Sequence, residues 1–319
     1  MRLLIVKTSS MGDVIHALPM AADIAQAKPG ARIDWLVEES FAAIPAMSRH
    51  VTNVHQVALR RWRHAPFSSE TRSETAAVKE ALRAARYDLV IDAQGLLKSA
   101  WVARWAGATV AGFSSTTARE RLAAMFYRTR FEVPRTLHAI ERCRALGAGA
   151  LQYTVEGPPR FDLRCEARPA VVVHAPYAVL LINASRLTKL WPNERWLEVE
   201  RALAARGLLS VLFWGSEQEG QRTRELAAQM QRAVVAPRSS LDAIAASLAG
   251  ARVIVGVDTG LSHLAAALGR PTVAVYCDYD PGLVGLVGDG PVASLGGAKV
   301  QTTASQAIQA IERVMAEAP

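Results

Sequence analysis

Short runs of Val, Ile and Leu recur along this chain, each followed by a longer stretch in which apolar residues return every three or four positions. In the first half the runs fall at 3–7, 32–37, 53–58, 88–92 and 109–112. The stretches between them predict helices near 14–28, 74–86, 95–106, 116–128 and 136–147. Strands that are apolar throughout are covered on both faces, which is the condition of a parallel sheet packed between helices. Periodicity is lost over 149–170, where Gly149, Gly157, Pro158, Pro159 and Pro169 mark a linker. The rhythm then restarts, with strand candidates at 178–183, 209–214, 252–257 and 271–276 and helices near 193–206, 217–232, 240–249 and 260–268. An amphipathic stretch from about 303 to 317 closes the chain as a helix that can pack back on the first domain. These elements predict an α/β chain of two Rossmann-like, doubly wound domains, 1–160 and 161–319, and 319 residues suffice for two cores. In such sheets ligands bind beyond the carboxyl ends of the strands, so the loops that follow strands are where chemistry is to be sought.

The first such loop, Thr8-Ser9-Ser10-Met11-Gly12-Asp13, is built of small residues and a glycine that let backbone approach a ligand. Asp13 opens the next helix, where it has two readings: an N-cap, or a carboxylate placed to accept a proton. No Gly-x-Gly-x-x-Gly follows any strand, which argues against a dinucleotide-dependent dehydrogenase. Gly107 and Gly112 have P-loop spacing, but Phe113-Ser114 stands where Lys-Ser/Thr is required. The strand at 252–257 runs into Asp258-Thr259-Gly260-Leu261-Ser262-His263, and a helix start of this kind offers amide N–H groups and partial positive charge to a diphosphate. Gly260 permits close approach and Thr259 adds a hydroxyl, whereas Asp258 would repel phosphate and is expected to cap the helix or orient its neighbours. After 178–183 come Asn183, Ala184, Ser185 and, further on, Lys189, which either meets a phosphate or is simply solvated. After 209–214, Glu217 and Glu219 stand where carboxylates hold ribose hydroxyls.

Charge changes the picture in one respect. Residues 1–160 hold 22 Lys and Arg against 14 Asp and Glu, while residues 161–319 hold 15 of each, so the whole excess of +8 sits in the first half. Such an excess concentrates anionic partners. Its dense spots are Arg60-Arg61-Trp62-Arg63-His64 and the set Arg119, Arg121, Arg128 and Arg130, from which Arg60, Arg63 and Arg119 are the candidates for phosphate or carboxylate recognition. Trp62 is placed to stack on a sugar or base. No helix-turn-helix or RNA-binding signature accompanies the charge, so nucleic acid is not expected as a partner. Cys143, Cys165 and Cys277 have neither disulfide-framework nor zinc spacing. No apolar run nears the ~18 residues of a membrane span, so an encounter with a membrane is expected at its surface, from the cytosolic side.

In combination, Lys7-Thr8-Ser9-Ser10-Met11-Gly12-Asp13-Val14-Ile15-His16, Asp92-Ala93-Gln94-Gly95-Leu96 with Lys98-Ser99, Val257-Asp258-Thr259-Gly260-Leu261-Ser262-His263 and Asp280-Pro281-Gly282-Leu283 resemble the bacterial lipopolysaccharide heptosyltransferases. The opening stretch is closer to the type I enzymes than to type II. The resemblance implies a GT-B fold and inverting transfer of L-glycero-D-manno-heptose from ADP-heptose to the Kdo (3-deoxy-manno-octulosonic acid) residue of Kdo-modified lipid A, with ADP-heptose as substrate and neither cofactor nor metal. It implies Asp13 as catalytic base, assisted by Lys189, and a donor site of Ser185, Lys189, Glu219, Asp258, Thr259, Gly260 and His263. It implies an acceptor site of Ser9, Ser10, Gly12, Arg60, Arg63, Gln94 and Arg119, and a protein peripheral to the cytosolic face of the inner membrane. Asn183, Ser239 and Cys277-Asp278-Tyr279 depart from the family pattern, which bears on donor preference. The alternatives are a related transferase with another donor or acceptor, such as the second core heptose, and a glycolipid-binding protein of the same fold without activity.

Overall fold

A computed structural model describes residues 1–298 and 300–318. The chain forms two compact units that divide after Asp162, two residues beyond the expected boundary.

The first unit runs β1 (Arg2–Val6), α1 (Met11–Ala27), β2 (Arg32–Glu38), α2 (Ala43–Ala46), β3 (Val51–Val57), α3 (Leu59–Trp62), α4 (Ser69–Ala84), β4 (Leu89–Asp92), α5 (Leu97–Ala103), β5 (Val110–Phe113), β6 (Thr129–Phe131) and α6 (Ala139–Leu151). Its six strands are parallel, in the order β3-β2-β1-β4-β5-β6. Leu3, Leu4, Ile5 and Val6 are fully buried, as a run without alternation requires. Strand order reverses between β1 and β4, where Val6 stands beside Asp92. The loops after these two strands therefore open at the switch point of the sheet.

The second unit runs β7 (Tyr177–Leu181), α7 (Asn193–Ala205), β8 (Leu209–Leu212), α8 (Glu217–Ala227), β9 (Ala233–Val235), α9 (Leu241–Gly250), β10 (Val253–Val257), α10 (Gly260–Ala267), β11 (Thr272–Tyr276), β12 (Val292–Gly296) and α11 (Ala304–Ala316). The sheet order is β12-β11-β10-β7-β8-β9, again parallel, with its switch point between β7 and β10. The final helix, α11, buries Ala307, Ile311 and Val314 in the core of this unit with Trp196 and Val273.

Three expectations change. The short edge strands β6, β9 and β12 lie outside the apolar runs: three to five residues on a sheet edge bury too little to leave a pattern. The helix expected at 116–128 is a turn followed by a 3-10 segment, Arg121–Phe126. The hydroxyl of Ser114 engages Thr116, Thr117 and Glu132, and the Thr117 carbonyl accepts from the Arg135 and Arg142 side chains. The Thr117 carbonyl, which a helix would use within itself, is thus taken by arginines from beyond β6. The 149–170 linker is entered by α6, which continues to Leu151. Among the described residues no helix is long and apolar enough to cross a membrane.

Candidate active site

Each switch point gathers one carboxylate and one cation, and each pair is assembled from two loops. In the first unit the loops after β1 and β4 are bonded together. The side-chain oxygen of Gln94 accepts from the Thr8 and Ser9 amides at 3.0 and 3.1 Å, and the buried Lys7 ammonium donates to the Ala93 carbonyl at 2.7 Å. Beneath them Asp92, fully buried and raised in pKa by that burial, accepts from the Gln94 amide and from the Ser99 and Tyr127 hydroxyls. Gly95 turns the second loop with φ +70°, and a Cβ there would stand 3.3 Å from the Arg119 nitrogen. Glycine at this point lets the 114–120 turn lie against the loop, with the Glu120 amide donating to the Gly95 carbonyl at 3.0 Å. The turn brings Arg119 to Asp13.

Asp13 is not the N-cap: Ser10 holds that position and Asp13 is the third residue of α1. Its Oδ2 accepts from the Ser10 amide at 3.0 Å, the Ser10 hydroxyl at 3.1 Å and Arg119 Nη1 at 3.2 Å, while its Oδ1 pairs with Arg119 Nη2. Burial by itself would raise this carboxyl. The Lys7 ammonium, the Arg119 guanidinium and the Ser10 amide outweigh it and hold the pKa at about 2. The Gln94 side-chain nitrogen and the Thr8 hydroxyl are buried without partners in this pair of loops, and Lys98, in the first turn of α5, reaches the Ser9 hydroxyl at 3.4 Å.

The other two arginines fall elsewhere. Arg60 stacks on Phe41, 5.4 Å from the ring centre, with its amide on Glu38. Arg63 is exposed and lines a depression with Trp62 and Lys79. Trp62 is not free to stack on a ligand: its ring is buried, 6.4 Å from that of Trp105, and its N–H is held by Glu74 at 2.5 Å. Arg61, between them, binds Glu39 and Glu74.

In the second unit the loop after β7 carries Lys189 to Asp258, at the end of β10, in a direct ion pair. Asp258 also accepts from the Tyr279 hydroxyl at 2.7 Å and lies 3.5 Å from His263 Nε2. Burial raises its pKa, but His263, Lys189 and Tyr279 together carry it well below the ordinary carboxylate range, and the same contacts and burial drive the Tyr279 phenol far up. Of the two expectations for Asp258, capping fails, because Thr259 is the N-cap of α10; orienting its neighbours is what it does. Lys189 Nζ sits 5.2 Å from the Tyr279 ring centre. An ammonium with one N–H on Asp258 has two left for an anionic ligand. Gly260 begins α10, so its amide and that of Leu261 belong to the open first turn.

Glu219 closes a capping box on α8, its Oε2 accepting from the Gly215 and Ser216 amides at 2.8 and 3.0 Å. Ser185 is exposed on the β7 loop. Asn183 joins β8 to α8 by donating to the Phe213 carbonyl and the Thr223 hydroxyl at 3.1 and 2.9 Å, and Ser239 donates to the Pro237 carbonyl on the surface. Tyr279, which sequence reasoning marked only as a departure, proves to be part of the Asp258 cluster. The parts played by Lys7, Ser99 and Tyr127 likewise rest on contacts with Ala93 and Asp92, which periodicity does not register.

Residues 75–312 match the family model described as glycosyltransferase family 9 (heptosyltransferase). The chain belongs to this family. Members of family 9 similar to it include lipopolysaccharide heptosyltransferase 1 of Pseudomonas aeruginosa, 47% identical over 90% of this chain and 82% of that protein. The Escherichia coli lipopolysaccharide heptosyltransferase 1 is 46% identical over 89% of this chain and 90% of its own length. Among solved structures, the E. coli heptosyltransferase WaaC with ADP superposes with a TM-score of 0.88 at 43% identity, covering 98% of this chain and 99% of that one. The same enzyme with ADP-2-deoxy-2-fluoro heptose gives 0.86 at 42% identity, with the same coverage. The expected GT-B fold and glycosyltransferase class are thereby shown, and the chain is a family 9 heptosyltransferase.

Proposed function

We propose that this chain transfers L-glycero-D-manno-heptose from ADP-heptose to the Kdo residue of Kdo-modified lipid A, with inversion and in one step, in assembly of the lipopolysaccharide inner core. The acceptor hydroxyl attacks the anomeric carbon, the bond from that carbon to the diphosphate breaks, the hydroxyl proton passes to Asp13, and ADP leaves. The observation that carries the assignment of the base is the unequal use of the two Asp13 oxygens: Ser10 holds Oδ2, whereas Oδ1 is held by Arg119 alone. With its pKa at about 2, the paired carboxylate is ionised but a poor base. The Arg119 side chain is 47% exposed, and the carboxylate of Kdo is the kind of anion that competes for a guanidinium. On acceptor binding Arg119 transfers to that anion, which frees Oδ1 and raises Asp13 toward the ordinary carboxylate value while Ser10 keeps it oriented. Ser9, Ser10, Gly12 and the unpartnered amide nitrogen of Gln94 complete the acceptor side, with Arg60 and Arg63 on its more distant anionic groups.

Lys189, with Thr259, Gly260 and the first amides of α10, takes the diphosphate and meets the charge that grows on it. Asp258 and His263 fix Lys189, while Ser185 and Glu219 reach the donor's sugar and ribose hydroxyls. Because fixed cationic and amide groups supply the counter-charge, transfer proceeds without a metal. The acceptor is a lipid, so the protein works at the cytosolic face of the inner membrane. The test is ADP release by purified protein given ADP-heptose and Kdo-lipid A, with Asp13→Ala alongside. Release should require both substrates and vanish in the variant. Release from ADP-heptose with a different acceptor, and not with Kdo-lipid A, would overturn the assignment.

A further inference from the structure

The first unit carries an apolar, cationic face of which the acceptor assignment uses only the edge, at Arg63 and at the Ser9 partner Lys98. On α5 the buried positions are Ser99, Ala100, Val102 and Ala103, and the outward positions are Leu97, Lys98 and Trp101, followed by Arg104. The outward side of this short helix therefore presents a leucine and a tryptophan, with Arg104 one turn beyond Trp101 and Lys98 turned to the Ser9 hydroxyl. Trp101 is 50% exposed although Trp105 packs edge-on against it at 4.8 Å. Packed on α5 is the 3-10 segment Arg121–Phe126, where Leu122 and, at 73% exposure, Met125 also face outward. Phe67, in the loop before α4, is more exposed still. Of the seven large hydrophobic side chains exposed among the described residues of this unit, four, Leu97, Trp101, Leu122 and Met125, lie on α5 and the segment packed against it.

Two depressions flank α5. One, of about 450 Å³, is lined by Trp62, Trp101 and Trp105 together with Arg63, Arg72 and Lys79. The Lys79 ammonium lies over the Trp105 ring at 4.9 Å. The other, of about 570 Å³, holds Met125 and Phe126 between Arg104 and Arg128. Among the described residues no carboxylate lines either depression, and Arg63, Arg72, Lys79, Arg104 and Arg128 enter no ion pair. An aromatic belt with unpaired cations on both sides is matched in chemistry and charge by the interfacial layer of an anionic bilayer, where indole rings sit at headgroup depth and each cation meets a lipid phosphate.

We propose that the α5 face, from Phe67 through Trp101 to Met125, is the surface by which this protein docks on an anionic lipid bilayer. The partner rests on the lipid-acceptor assignment above; the face does not. Docking there presents Arg63, which lines the tryptophan depression, to headgroups at the same surface.

The experiment is sedimentation of the full chain with vesicles of phosphatidylcholine alone and with vesicles containing roughly a third phosphatidylglycerol. The protein should sediment with the second kind only, less so as salt is raised. Arg104→Glu with Arg128→Glu should weaken binding at least about 25-fold, from roughly fivefold for each cation lost. Trp101→Ala with Met125→Ala should weaken it at least about tenfold. Met125→Ser by itself keeps the test open should Trp101 prove necessary for folding, which thermal unfolding would reveal. Equal sedimentation with both kinds of vesicle, or unchanged binding in these variants, would overturn the proposal, as would a wild-type dimer that the same substitutions dissociate. Transfer to Kdo-lipid A in vesicles and to its deacylated form separates the two claims. Docking variants should lose the first and keep the second. Wild-type protein that sediments but transfers heptose to neither would remove the acceptor assignment while confirming the face.

Discussion

The two switch points answer one problem, holding a carboxylate and a cation at the end of a parallel sheet, with unequal burial of the cation. Asp258 and Lys189 are both largely buried, Lys189 with 14% of its side chain exposed, and Tyr279 and His263 hold the same carboxylate. Asp13 is buried too, but its partner Arg119 arrives on a turn and stays nearly half exposed. A pair buried on both sides is costly to part, because either member left unpaired keeps its desolvation penalty. A pair with one solvated member can exchange partners. The second unit thus holds a pair that is fixed by burial, and the first a pair whose exposed member is open to exchange.

The contrast can be broken most severely at Asp13. Asp13→Ala should lower turnover by about 10²–10⁴-fold, the range of general-base assistance, while calorimetric ADP affinity stays within a factor of about two. Next, Asp258→Ala should destabilise the protein by about 3–5 kcal/mol in denaturant, since Lys189 and Tyr279 lose a buried partner, and should also weaken ADP binding. A loss under 1 kcal/mol, on the order of a surface pair, would place this pair in the mobile class with the other.

Arg119→Gln sharpens the comparison through pH. Asp13 lies below its ordinary value, at about 2, with Lys7 and Arg119 as the main causes that lower it. Its contribution to stability is therefore complete above the unfolded carboxylate pKa near 4 and is lost as pH falls from there through about 2. Removing the guanidinium should move the acid limb of kcat/KM upward, toward pH 4, and raise the KM for the acceptor more than that for ADP-heptose. An unmoved acid limb would mean that the pair does not govern the base. The smallest effect is expected at Glu219→Gln. The amide keeps an oxygen for the Gly215 and Ser216 N–H groups, so stability should change by less than about 1 kcal/mol, and ADP should bind less tightly by under about tenfold, as when a charged hydrogen bond on ribose is replaced by a neutral one.

Hydrophobic pattern was enough to give the alternation of strands and helices, the two-unit division and the places where loops follow strands. These follow from hydrophobic period and glycine placement, which are local properties. Asp13 and the run from Asp258 to His263 stood out as candidates, because small residues around them let backbone approach a ligand, whereas Lys189 kept two readings until the resemblance chose between them. Tertiary structure alone decided which of the many arginines meets Asp13. That choice depends on the start of the expected 116–128 helix being a turn instead, held by the Gly95 carbonyl and by Arg135 and Arg142 on the Thr117 carbonyl, contacts that periodicity does not register. It likewise decided that Tyr279 joins Asp258, that Trp62 is core, and that Trp101 and Met125 share one exposed face. Each of these is a contact between residues distant in sequence, fixed by the order of the strands, and strand order is a property of the packed sheet.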